Sequence, residues 1–301
     1  MLDLADTHGF VGEIFSDNFT PDELQNFCLT KDQINCFNDN GYVSGVKILS
    51  EDQVDILCEE LEYFFNSNHE GKEFWHEYHS NESGDPANVL FHALGSWRLK
   101  EGFHDILWNP ALTIPAAQLL NGPIRFWHDQ LFCKPAKHGG VVSWHQDYSY
   151  WTRTKPMRHL TCWIGLDDSD SNNGCLQYVP GSHKWDLLPI TGLAGDMDAI
   201  KNVLSQDQWE RLNNPVPIIL KRGEAAFHHP LMVHGSFENN SERQRRALVI
   251  NTLLDGTLSD SNEALLNGVP VIPKGEKIEG KFFPILSKPE HLDIINKNLD
   301  L

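Results

Sequence analysis

From residue 124 onward the apolar residues recur with a period of two. The runs "IRFWHDQLFCK", "VVSWHQDY", "HLTCWIGL", "GCLQYVP", "VPIILKRGEAAFHH" and "RALVINTLL" are short, aromatic or β-branched, and separated by Gly, Pro, Asn and Asp. That period sends successive side chains to opposite faces of a strand, and the punctuation supplies turns. Many short strands in succession predict a mostly β fold, an antiparallel barrel or jelly roll, with helices at its flank. The flanking helices are written into the first third. Thr30 and Gln33 make a capping-box pattern ahead of Ile34 and Phe37, with Gly41 as the stop; Ser50 and Gln53 repeat it ahead of Val54, Leu57 and Leu61. "YVSGVKIL" between them reads as a short strand, residues 69–90 as a polar loop, and Asn109 with Pro110 as the start of a helix that Gly122 ends.

With 301 residues, 40% of them hydrophobic, the chain can bury one large core. The expected organisation is a single domain over 1–301: a mainly helical layer over 1–123, a β-barrel core over 124–255 and a C-terminal covering segment over 256–301. The formal charge of −18 excludes nucleic acid or an anionic membrane as partner, because both require a basic footprint. Residues 1–90 carry 19 Asp and Glu against three lysines, so nearly all of that charge sits on the helical layer and the barrel is close to neutral. No apolar run approaches the roughly 18 residues of a membrane span, and the start "MLDLADTHGF" has no secretory signal, which together predict a cytosolic protein. Six cysteines without a C-x-x-C pair read as free thiols used in packing.

Chemistry concentrates in "SWHQDYSYW", residues 143–151. On a strand, His145 and Asp147 face one side and Gln146 the other, so one strand end offers two ligands to one ion. A third ligand must come from elsewhere, and "HHPLMVHGSFENNSERQRRALVI" holds the candidates His228, His229 and His234, of which His234 is preferred although spacing excludes none. Two imidazoles and a carboxylate on one face of an octahedron leave three positions open, the arrangement of non-haem Fe(II) oxygenases. Trp144, Tyr148, Tyr150 and Trp151 are candidates for a substrate wall, with one or two expected to face the pocket and the rest to pack.

Taken together and in order, "WHQDYSYW", "NNGCLQYVPGSH" and "HGSFENNSERQR" resemble the phytanoyl-CoA dioxygenase family of Fe(II)/2-oxoglutarate-dependent oxygenases, over about residues 30–255. The resemblance implies a double-stranded β-helix, the jelly roll of cupin-like barrels. It implies iron ligands at His145, Asp147 and His234, and a 2-oxoglutarate anchor at Arg245, eleven residues after His234. A planar guanidinium suits that task, since it binds a carboxylate bidentately. Trp163 and Gln130 fall at positions near the cosubstrate, and Ser236 and Lys134 are counted with them. The implied reaction consumes 2-oxoglutarate and O2 at Fe(II) and oxidises, by hydroxylation above all, a C–H bond of a small-molecule substrate, releasing succinate and CO2. With Asp147 in place, no ligand is missing to admit a halide. The alternative on the same barrel is a non-catalytic cupin-like metal- or ligand-binding module, or a cupin enzyme that does not use 2-oxoglutarate. No pattern specifies a subunit interface.

Overall fold

The structure is a computed structural model that describes residues 1–16 and 18–299. Its strands are β1 (Tyr42–Lys47), β2 (Glu77–His79), β3 (Phe91–Leu94), β4 (Ile124–Lys134), β5 (Val142–His145), β6 (Thr154–Lys155), β7 (His159–Gly165), β8 (Leu176–Tyr178), β9 (Val216–Pro217), β10 (Glu224–His228), β11 (His234–Ser236), β12 (Arg245–Leu254) and β13 (Leu258–Ser259). They form a larger sheet in the order β1-β10-β7-β12-β4-β3-β2 and a smaller one in the order β5-β11-β8-β9, with β6 and β13 paired separately. All these pairings are antiparallel, and with the flanking helices they make the expected jelly roll.

The predicted helices form for the predicted reasons. Lys31–Asn40 and Glu51–Phe64 each begin with a complete capping box, Thr30 with Gln33 and Ser50 with Gln53. Gly41 ends the first in the left-handed region (φ 86°), where a residue with a Cβ is strained. Glu51–Phe64 turns Val54, Leu57, Leu61 and Phe64 onto the outer face of the larger sheet, where Leu160, Cys162, Ile164, Leu248 and Ile250 meet them in one cluster. The opposite face carries Trp163, Ala226, Ala247 and Val249, which pack against Leu176 and Tyr178 of the smaller sheet. Strand alternation therefore separates a helix-covered face from an interior face, and the interior face lines the site.

Four expectations are corrected locally. Residues 69–90 contain β2, which joins the sheet through β3; Phe91–Leu94 is buried at every position, so it has no alternation to read. The helix Pro110–Leu120 stops at Asn121 (φ 53°), one residue before Gly122. "VPIILKRGEAAFHH" is two strands, β9 and β10, divided by a turn at Gly223 (φ 79°). Last, β5 ends at His145 and a 3-10 turn opens at Asp147. The region 256–299 packs Leu265, Val269, Ile278 and Phe283 against Trp127, Trp151 and Leu253. The six cysteines form no disulfide among the described residues; four are buried and two partly buried. No helix among the described residues is long and apolar enough to cross a membrane.

Candidate metal centre

The register of the larger sheet arranges its interior residues in rows. His128, Asn251, Thr161, His228 and Tyr42 are successive cross-strand neighbours from β4 to β1. The next row is Gln130, Val249, Trp163 and Ala226. Arg245 pairs with Lys134 at the far end of the same face. Six residues separate Arg245 from Asn251, which at strand rise is roughly 20 Å of wall. Facing this wall, His145 of β5 lies directly opposite His234 of β11, with ring centroids 4.2 Å apart. A Cβ on Gly235 would stand 2.8 Å from the carbonyl oxygen of Val142, so the glycine allows β11 this close approach to β5.

Although the strand stops at His145, Gln146 stays extended (φ −112°, ψ 132°), and the alternation persists for one more residue. Asp147 therefore turns to the same side as His145. One ligand atom from each of His145, Asp147 and His234 lies within 4.8 Å of the others. Asp147 Oδ1 is 3.5 Å from His145 Nε2 and 3.7 Å from His234 Nε2. The Nδ1 atoms of the two imidazoles are 2.8 and 2.9 Å from the carbonyl oxygens of Ser143 and Met232. A carbonyl can only accept, so each proton sits on Nδ1 and each Nε2 offers a lone pair to the centre. Burial pushes His234 well below the usual imidazole range, which keeps it neutral. Burial works against charge on Asp147 as well, but the hydrogen bond from His228 opposes it, and the carboxyl is held well below the usual range.

His228 does not join that set. Its Nε2 donates to the other oxygen of Asp147, Oδ2, at 2.9 Å, and its Nδ1 accepts from the Tyr178 hydroxyl at 2.8 Å. Thr161 Oγ1 donates to the same Oδ2 at 2.6 Å. Both bonds turn Oδ1 toward the histidines, so Thr161 and His228 are positioning residues, a task their sequence spacing does not signal. His229 lies elsewhere, its Nδ1 accepting from the Leu231 amide and its ring near His183. Exchanging His228 for leucine is expected to weaken Fe(II) binding by about 10- to 100-fold. His228→Gln, which can still donate to Asp147, should recover part of the loss; chelator competition measures both. Equal affinities in all three proteins would remove the positioning role.

The three residues open into a cavity of about 480 Å³. Gln130, Trp163, Ser236 and Arg245 line it. Arg245 is 1% exposed, with Nη1 donating to Phe132 O at 3.1 Å; among the described residues Nε has no partner and no carboxylate pairs with the guanidinium. Burial pushes its pKa down to about 10. Trp163 lies beside it, with Arg245 Cζ 5.4 Å from the ring centroid. An unspent guanidinium behind three converging ligand atoms fits a metal-chelated dicarboxylate. Lys134, in contrast, is outside the lining: its Nζ donates to Ser236 Oγ at 2.7 Å and to Phe237 O at 2.5 Å, and the lysine braces Ser236. Tyr150 and Trp151 line the cavity, whereas Trp144 packs with Val179 and Leu188, and Tyr148 packs against the cluster around Trp127. Thr161 also lines it, but His159 on the same strand is buried among Trp127, Tyr148 and Trp151.

The profile of the family described as Phytanoyl-CoA dioxygenase (PhyH) matches residues 37–247. Among curated relatives, the peroxisomal phytanoyl-CoA dioxygenase of Bos taurus is 33% identical over a stretch covering 44% of this chain and 40% of that protein. Methylphosphonate hydroxylase of Gimesia maris is 27% identical, covering 78% of this chain and 85% of that protein. Among solved structures, the non-haem α-ketoglutarate-dependent carbocyclase SnoK from nogalamycin biosynthesis superposes with a TM-score of 0.69 at 21% identity, covering 90% of this chain and all of that one, a likeness of fold.

Proposed function

The chain belongs to the phytanoyl-CoA dioxygenase family of Fe(II)/2-oxoglutarate-dependent oxygenases, and on that premise we propose that it oxidises a C–H bond of a small organic molecule, by hydroxylation, with release of succinate and CO2. His145, Asp147 and His234 would hold the iron. When bound, iron supplies the activation of O2, coupled to oxidative decarboxylation of 2-oxoglutarate, that delivers oxygen to the substrate.

The chain's own part is orientation and exclusion. The carbonyls of Ser143 and Met232 fix the imidazole tautomers, and Thr161 and His228 fix the carboxylate. Arg245 would take the far carboxylate of the cosubstrate, with Trp163 closing that end and Gln130 and Ser236 as further polar neighbours on the wall. Tyr150 and Trp151 keep water from the reacting bond and shape the substrate's place. Residues 124–255 carry the site, and we read 1–123 and 256–301 as flanks of one domain. Six cysteines that form no disulfide suit a reducing compartment such as the cytosol.

One observation carries this reading: three ligand atoms converge in a cavity that also holds the buried Arg245 guanidinium, which no carboxylate pairs with among the described residues. Anaerobic addition of Fe(II) and 2-oxoglutarate should produce a weak visible charge-transfer band that is absent from His145→Ala. A band of full strength in that variant would overturn the ligand assignment. An idle barrel would instead give no 2-oxoglutarate-dependent succinate with any substrate.

A further inference from the structure

The cavity extends past the ligand triad to walls that the metal and cosubstrate do not need. Glu77 and Glu82 line this part, together with Tyr150, Trp151 and Arg153. The Glu82 carboxylate is 22% exposed, and its nearest polar neighbours are imidazoles: Oε2 lies 3.4 Å from His92 Nδ1 and 3.5 Å from His79 Nδ1. Its second oxygen has no hydrogen bond among the described residues, and Glu77 has no ion-pair partner there. His92 is locked in turn, stacked on Phe132 at 4.4 Å with Nε2 3.0 Å from the Gln130 amide oxygen, so Glu82 is held at a fixed point on the wall.

The guanidinium on these walls is held in place, although its charge remains. Arg153 Nη1 and Nη2 donate to the carbonyls of Ala264 and Leu265, at 2.5 and 3.0 Å, and tie down the C-terminal covering segment. His128, also in the lining, is pushed down to about 3 by burial and stays neutral. Tyr150 places a buried hydroxyl here that has no partner among the described residues. If Asp147 and the near carboxylate of 2-oxoglutarate balance Fe(II), and Arg245 balances the far carboxylate, the remaining wall sets Glu77 and Glu82 against the guanidinium of Arg153 and keeps one carboxylate in excess beside aromatic faces. An ammonium group satisfies both at once, by a charge-assisted hydrogen bond to the carboxylate and by the ring quadrupoles.

We propose that the substrate is a small amine whose cationic nitrogen is held by Glu82 and whose carbon body lies against Tyr150 and Trp151. The proposal rests on the oxygenase reading above and names its substrate class. It makes Glu82 the residue that selects the substrate by charge, and it disfavours a long acyl chain, for which fixed carboxylates would be unpaired neighbours.

The test is anaerobic calorimetry on protein loaded with Fe(II) and 2-oxoglutarate. The probes are cyclohexylamine beside cyclohexanol, phenethylamine beside 2-phenylethanol, and methylphosphonate as the anion. Each amine should bind at least about 10-fold tighter than its alcohol, the ratio should collapse in Glu82→Gln, and Glu82→Asp should keep part of it. The proposal is overturned by equal binding of amine and alcohol, by a preference that survives Glu82→Gln, by methylphosphonate binding tightest, or by no amine binding. Failure of the oxygenase reading would look different: the charge-transfer band would be missing before any probe is added.

Discussion

Arg245→Met is expected to raise the 2-oxoglutarate concentration needed for half-maximal activity about 100- to 1000-fold and, in the same protein, to raise the melting temperature measured without cosubstrate. The first effect follows from losing a bidentate, charge-assisted pair, each bond of which contributes about 1.5–3 kcal/mol. The second follows from burial of an unpaired charge. The folded-state pKa lies near 10 against an ordinary 12.5. Below pH 10 the group is charged both folded and unfolded, so the full burial penalty is present at neutral pH and recedes only as the pH climbs from 10 toward 12.5. That interval corresponds to about 3 kcal/mol, of which methionine, similar in volume and uncharged, should recover enough to lift the melting point by a few degrees. In the unmodified protein, 2-oxoglutarate should supply the missing anion and raise the melting temperature by mass action; in the variant it should not. Scanning calorimetry with and without cosubstrate reads both signs. A variant that melts lower and keeps its 2-oxoglutarate requirement would remove Arg245 from the anchor role.

Asp147→Asn should reduce Fe(II) affinity and turnover by a factor on the order of 1000, although the side chain barely changes in size. Asp147 Oδ2 accepts from Thr161 and His228 while Oδ1 faces the two Nε2 lone pairs. An amide has one oxygen. If it stays with Thr161 and His228, the NH2 group faces the metal position and coordinates nothing. If it turns inward, the NH2 group meets two donors. Either arrangement also forfeits the charge that the cation requires. Metal content after dialysis, with 2-oxoglutarate-dependent succinate formation, checks the result. Near-normal metal content in Asp147→Asn would show that this carboxylate is not a ligand.

The two-residue period made the pairing of His145 with Asp147 legible, and the family resemblance supplied His234, Arg245 and Gln130. His145 and Asp147 are two residues apart and share a side. Arg245, Ala247 and Val249 do too, as do Gln130, Phe132 and Lys134. What escaped detection depends on register between strands distant in the chain. His228 reaches Asp147 because β10 pairs with β7, which puts it beside Thr161; no spacing in the sequence carries that information. Lys134 is on the expected face, but it spends its charge on Ser236 and Phe237, since β11 ends against it. Glu82 and His92 were invisible because their stretch has loop composition and a strand without alternation. The capping boxes needed no tertiary information, since each is satisfied within four residues.

The origin of the two walls has a consequence for how such a barrel can diversify. The triad and its supports come from β5 and the turn after it, β7, β10 and β11, whereas Glu77, Glu82 and His92 arrive from the edge strand β2, its neighbour β3 and their connection, and Leu265 and Leu266 from the segment after β13. Recombination that exchanged only these peripheral stretches would give the same oxidising centre a new clientele. Chimaeras cut at residues 95 and 260 are therefore a practical route to altered selectivity.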